Sequence, residues 1–367
     1  MSKILNNYQK QFKEKIIDFW KFWFRKNRYQ YKSLVGYTHA PFKSKNLNVN
    51  NEGFRSKTNF NLKLKEKNKP KIFFIGPSSL FGMPNLSDDE TVSSIVENQL
   101  NLKNKNYNCF NFSLIGSKIN SQFLLLFQIL FENKPDIVVI YNGYNDITSG
   151  YYGHKFQYAV EIDRINKEAF ETEKNKNNPI FHLDKSLIAI ANLMNDKLFN
   201  KFSISEENLS FNKLKEKRRN ILKQKSQPKN SYDFCQKNYL KFLDLCFYIL
   251  NQNKVKTLYI SESNLLSTNK KLNEYEKEYI KIDGELGLFK DSKKDNDIKE
   301  FKKIYNETME KAFLMAQKSN IDFINFDKVL TESTTKTPIF FDNVHLSNEG
   351  AKILANEIVY WIERKLN

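Results

Sequence analysis

Short apolar runs recur along this chain, separated by stretches in which apolar residues return every three or four positions. Lys71–Ile75 (KIFFI) is such a run, stopped by Gly76-Pro77, as expected of a strand buried on both faces of a parallel sheet. Further runs lie at Tyr107–Phe112, Asp136–Tyr141 (DIVVIY), Thr257–Ile260 (TLYI) and Ile321–Phe326. Asp136–Tyr141 is the clearest, because its β-branched side chains suit a pleated surface. Between the runs the period becomes helical. Asp88–Leu100 places Val92, Ile95, Val96 and Leu100 on one face, and Ser121–Phe131, Tyr232–Leu250 and residues 296–318 read the same way. The last helix starts after Ser347 as N-cap and turns Ala351, Leu354, Ala355, Ile358, Trp361 and Ile362 inward. Strands alternating with helices predict a doubly wound α/β sheet of about five parallel strands.

Two stretches break the alternation. Residues 151–231 are charged and helix-prone with no good strand, which predicts a helical insertion after the third strand. Residues 1–70 also stand apart, as an N-terminal extension to a main domain at 71–367. Within it, Phe12–Lys26 (FKEKIIDFWKFWFRK) repeats Phe12, Ile16, Phe19, Trp20 and Trp23 at helical spacing, so an amphipathic helix is expected. Residues 36–60 carry turn signals at Val35-Gly36 and Asn51-Glu52-Gly53 and should be an extended flap, with Lys67-Asn68-Lys69-Pro70 as the boundary.

Composition narrows the classes. Of 367 residues, 40% are apolar and 14% aromatic, which excludes a wholly disordered chain. The longest apolar stretches, such as Phe123–Phe131, fall short of the roughly 20 residues a spanning helix needs. Lys and Arg total 59 against 42 Asp and Glu, a net charge of +17 that could mark a nucleic-acid or anionic-membrane partner. Most of the lysines, however, are interleaved with acids. The one dense run, Lys213–Lys229, includes Lys215, Lys217, Arg218, Arg219, Lys223 and Lys225 but has no interleaved aromatic residues for base stacking. A solvated face is the better reading, and no nucleic-acid partner is expected. Cys109, Cys235 and Cys246 lack metal-ligand spacing, are odd in number and lie among apolar neighbours, so they read as buried thiols. With no signal-peptide core near the start, a cytoplasmic location is expected. The 12–26 helix should dock on the protein's own body or on a second subunit. The sharper alternative is peripheral contact with the inner membrane face, through Trp20 and Trp23 beside Lys21, Arg25 and Lys26. The sequence leaves the oligomeric state open.

Open parallel sheets bind ligands at the carboxyl ends of their strands. There this chain places Gly76-Pro77-Ser78-Ser79-Leu80-Phe81-Gly82, then Asn111 and Gly116, then Gly143-Tyr144-Asn145-Asp146, and, before the last helix, Asp342-Asn343-Val344-His345. Acyl transfer needs a hydroxyl, a base to take its proton, a carboxylate to orient the base, and donors for the oxyanion. Ser78, His345 and Asp342 supply the first three types. The Ser78 amide, the Gly116 amide and the Asn145 side chain supply donors, and a glycine at 116 lets the backbone approach a substrate. Each signal alone is weak: a serine after a glycine turn is more often structural, and His39, His154 and His182 read as packing or surface residues. Four blocks in one order, each at a strand end or helix start, are much harder to place by chance.

The constellation resembles the SGNH hydrolases, also called the GDSL esterase/lipase family. The match lies in Ser78 of GPSSLFG, Gly116 of NFSLIGS, Asn145 of GYND, and Asp342 with His345 of DNVHLS, over roughly residues 71–150 and 232–367. The family usually has Asp or Gly where this chain has Pro77. The change removes a backbone N–H beside the nucleophile and leaves Ser79 as a second candidate. Some members also carry an Asn-x-x-Gly-Phe-Arg segment before the first strand, as here at residues 50–55, where a flap over the sheet edge is the default reading. The resemblance implies a flavodoxin-like three-layer αβα sandwich. It also implies hydrolysis of small acyl esters, among them O-acetyl groups on carbohydrates, by a serine esterase without metal or organic cofactor. Three other readings remain open at this level. The same residues could transfer an acyl group to a sugar hydroxyl, the fold could carry a silent binding protein, or the charge could serve a nucleic-acid or membrane-surface module. The absence of Gly-x-Ser-x-Gly disfavours an α/β-hydrolase elbow.

Overall fold

The computed structural model describes residues 3–25, 28–32, 35–56, 69–103, 105–151, 231–286 and 294–366. The expected insertion and the 213–229 basic run lie outside the described residues. The chain opens with α1 (Lys3–Lys10) and α2 (Lys13–Phe24). Two antiparallel ribbons follow, β1 (Tyr29–Lys32) with β2 (Gly36–His39) and β3 (Phe42–Lys43) with β4 (Asn48–Val49). The alternating part begins with β5 (Lys71–Ile75), α3 (Ser78–Phe81), a 3-10 turn at Asp88–Glu90, α4 (Val92–Leu102), β6 (Asn108–Asn111) and α5 (Ile119–Glu132). It continues with β7 (Ile137–Asn142), α6 (Tyr144–Tyr151), α7 (Ser231–Gln252), β8 (Lys256–Ser261), α8 (Glu274–Leu286) and α9 (Lys294–Lys318). It closes with β9 (Asp322–Asn325), α10 (Phe326–Glu332) and α11 (Asn348–Leu366).

Strands β5 to β9 form a five-stranded parallel sheet in the order β6-β5-β7-β8-β9. This is the flavodoxin-like order, and the chain changes direction between β5 and β7, where such sheets open a crevice. Residues alternate between the two faces, as a period of two requires. Phe73, Ile75, Phe110, Val138, Ile140 and Tyr259 join one core with α5, α7 and α9. Ile72, Phe74, Ile137, Val139, Leu258 and Ile260 join the other with α4, α10 and α11. The doubly wound parallel sheet expected from the pattern, and the three-layer sandwich that the resemblance implies, are therefore present. Ser347 caps α11 by accepting the Gly350 N–H at 3.2 Å. The single helix expected at Asp88–Leu100 is divided, because Thr91 leaves the 3-10 turn in extended geometry (ψ 148°) and caps α4 by accepting from Ser94 N. Cys109, Cys235 and Cys246 are buried thiols outside any disulfide among the described residues.

The expected amphipathic helix is α2, and its aromatic face lies against the protein's own body. Phe19 and Phe22, 1% and 0% exposed, form a third core with Leu47, Val49, Phe81 and Ile115. Phe22 stacks on Phe81 at 6.0 Å between ring centres. The extension thus covers the carboxyl ends of the strands, where the candidate site lies, as well as reaching edge strand β6 through Phe54 against Phe112. Among the described residues no helix is long and apolar enough to cross a membrane.

Candidate active site

Gly76 follows β5, and a side chain there has no room: a Cβ would meet the Tyr141 carbonyl oxygen at 2.6 Å. Pro77 then enters α3 in extended geometry, and Ser78 becomes the first residue of that one-turn helix. The Ser78 Oγ lies 2.8 Å from His345 Nε2, and His345 Nδ1 lies 2.6 Å from Asp342 Oδ2. Asp342 reaches back over three residues because its turn is closed on itself, with Oδ1 accepting the amides of Val344 (3.0 Å) and His345 (2.8 Å). Burial works to raise this carboxyl, but His345 and the two amides outweigh it and hold it below the ordinary aspartate range. An ionised carboxylate at Nδ1 requires the N–H there, which leaves the Nε2 lone pair facing the Ser78 hydroxyl. Ser78 and His345 keep 7% and 9% of their surface exposed.

Ser79, the other candidate nucleophile, turns away. It is 1% exposed and its hydroxyl donates to Glu262. The structure therefore puts Ser78, and not Ser79, beside the histidine. The Gly116 and Asn145 loops meet, the Asn145 Nδ2 donating to the Ser117 carbonyl at 2.9 Å, and an amide nitrogen has a second N–H to give. Gly116 adopts φ +74°, a left-handed conformation that favours glycine. Asn145 stands in the first turn of α6, although GYND reads as a turn in sequence. Asp146 beside it accepts the Ile119 amide at 3.2 Å, and burial raises its carboxyl to about 7 against a partial offset from Lys118. Among the described residues no group of three or more His, Cys, Asp or Glu is placed to hold a metal ion.

Two residues at the site escaped the sequence reading. Glu262, 2% exposed, follows β8 and contacts the turns after both β5 and β7. Its signal was an acid just past an apolar strand, at the carboxyl end where ligands bind. Arg55, in the flap, donates to the carbonyls of Phe81 (3.0 Å), Gly82 (2.8 Å) and Leu86 (2.7 Å) and pairs with Asp88 at 2.8 Å. The Asn-x-x-Gly-Phe-Arg pattern marked the segment but not what the arginine holds.

A family model described as GDSL-like lipase/acylhydrolase matches residues 72–358. No curated protein matches the sequence. Among solved structures, the acetyl xylan esterase AlAXEase is 13% identical, with 80% of this chain and 99% of that chain covered at a TM-score of 0.40. The lipase/acylhydrolase from Enterococcus faecalis is 14% identical, covering 81% and 96% at 0.41. A lipolytic protein of the G-D-S-L family from Veillonella parvula is 12% identical, covering 80% and 98% at 0.43.

Proposed function

This chain belongs to the GDSL-like lipase/acylhydrolase family and so acts on ester bonds, and on that premise we propose that Ser78, His345 and Asp342 carry the hydrolysis. The observation behind this reading is the continuous line from Ser78 Oγ through the imidazole to Asp342, at 2.8 and 2.6 Å. His345 Nε2 takes the Ser78 proton as Oγ attacks the ester carbonyl, and the carbonyl π pair moves onto oxygen. The Ser78 amide, the Gly116 amide and the Asn145 side chain receive that oxyanion. Collapse breaks the C–O bond to the alcohol, which leaves with the proton from Nε2. Water then repeats the sequence on the acyl-serine, losing a proton to His345 and releasing the carboxylic acid. Asp342 stays ionised and steadies the imidazolium in both halves. Pro77 lacks an N–H, but the donor role falls on the Ser78 amide, which the proline leaves intact.

The acyl group we assign is small, such as acetyl, as the sequence resemblance implies. Acetyl esters of carbohydrates, the class that the sequence resemblance implies, are the first substrates to test. Reaction with a fluorophosphonate probe, followed by peptide mapping, should place the adduct on Ser78. An adduct on another residue, or folded protein that does not react while still cleaving p-nitrophenyl acetate, would overturn the assignment.

A further inference from the structure

We propose that Glu262 is a positioning residue of this hydrolase, a buried carboxylate that ties the Ser78 turn to the Asn145 turn and keeps nucleophile and oxyanion donor in register. The inference rests on the triad reading above. Glu262 Oε1 accepts from the Ser79 hydroxyl and Oε2 accepts from the Tyr144 amide at 2.9 Å. Ser79 follows the nucleophile and Tyr144 precedes Asn145, so one side chain bridges the two halves of the site. Those halves come from β5 and β7, on either side of the sheet's switch point, and Glu262 comes from the end of the next strand, β8.

An ionised carboxyl placed here must offset a large desolvation cost. Burial pushes Glu262 up to about 7, and the Ser79 and Tyr144 bonds and nearby His345 pull against it. The first turn of α6 faces it with its positive end, which favours the charged form. The other titratable groups around it are Asp146 on α6, Tyr141 on β7, Tyr259 on β8 and Tyr305 on α9. Tyr305 also donates to the Glu262 backbone carbonyl, which fixes the residue from behind. A wholly structural post would be met more cheaply by an apolar side chain. The carboxylate has two acceptor oxygens, one for each turn, and a negative charge within reach of the imidazolium that forms in the transition state.

Protonation breaks this pattern, because a neutral carboxyl must donate where it accepted, reversing the Ser79 bond. Activity should therefore fall on the acid side as Glu262 takes up a proton. Glu262→Gln keeps the shape and one acceptor but loses the charge. Its kcat on p-nitrophenyl acetate should fall about 10-fold or more, the value of one charge-assisted hydrogen bond, with KM nearly unchanged. Its acid limb should be shallower than that of wild type, because the Glu262 proton no longer contributes. Ser79→Ala, which leaves the Tyr144 bond in place, should lower kcat by less than Glu262→Gln. Loss of activity in Ser78→Ala, run in the same assay, establishes the nucleophile independently. With that shown, a Glu262→Gln enzyme of wild-type kcat, or one whose acid limb is the same as wild type, overturns the role given to Glu262.

Discussion

The neighbouring serines at 78 and 79 divide two tasks that sequence alone could not separate. Ser78→Ala should remove nearly all cleavage of p-nitrophenyl acetate and leave the melting temperature close to wild type, since among the described residues the lost hydroxyl bonds only to His345. Asn145→Ala should lower kcat by about 10²–10³ with KM nearly unchanged, because an oxyanion exists fully only in the tetrahedral state. A destabilised Asn145→Ala protein with normal kcat would reduce the residue to a turn former. Asp146 calls for a different measurement. Its folded carboxyl sits at about 7 against an ordinary 3.8, so the native state holds a proton that the unfolded chain releases. Its contribution to stability is therefore complete at low pH and is lost as pH rises through that window. Asp146→Asn, which can still accept from Ile119, should melt above wild type at pH 8, with the gap narrowing towards pH 4.

Among the elements, the strands were legible because a strand buried on both faces is written as an apolar run, and KIFFI and DIVVIY became β5 and β7 with ends shifted by a residue or less. Helix α8 was not legible: EYEKEYIKIDGEL is mostly charged, and it is held by Glu276 accepting the Ile339 (2.9 Å) and Phe340 (3.2 Å) amides. Ser78, Gly116, Asn145, Asp342 and His345 could be read because each is a residue type that the proposed chemistry requires. Glu262 and Arg55 could not, because their partners include backbone atoms, which leave no mark in a sequence. Arg55 carries an element-scale prediction. It is 2% exposed and forks across the end of α3 and the turn beyond, which a lysine's single ammonium cannot copy. Arg55→Ala, which leaves the buried Asp88 with only its two bonds from Asn48 among the described residues, should cost about 3–5 kcal/mol by chemical denaturation. Arg55→Lys should fall between it and wild type and lose kcat, since α3 carries Ser78. Wild-type stability in Arg55→Ala would show that the clamp is dispensable.

At the scale of the molecule, the extension touches three of the loops that build the site. Phe22 stacks on Phe81, His39 Nε2 accepts the Ile115 amide at 3.2 Å beside Gly116, and Phe12 meets Phe341 at 5.8 Å beside Asp342. His39 is held neutral by burial, with Arg25 and Arg28 adding to the effect, and its pKa falls to about 3, so this support does not change over the working pH range. A chain lacking residues 1–30 should therefore lose both melting temperature and esterase activity. In liposome flotation it should match the full chain, because Phe19 and Phe22 already pack inside the protein. Flotation of the full chain alone would assign α2 to a membrane surface instead.

The contact between Phe12 and Phe341, with that between Tyr8 and Tyr275 at 4.3 Å, also orders events during synthesis. Tyr8 and Phe12 are synthesised long before their partners Tyr275 and Phe341, and His345 follows after both. Pairings between segments so distant in sequence form slowly, and exposed apolar surface in the interval invites aggregation or a chaperone. On the triad proposed above, a nascent chain halted before His345 would hold Ser78 without its base, so ester cleavage on the ribosome would report that translation had passed this codon and that Phe12 had met Phe341.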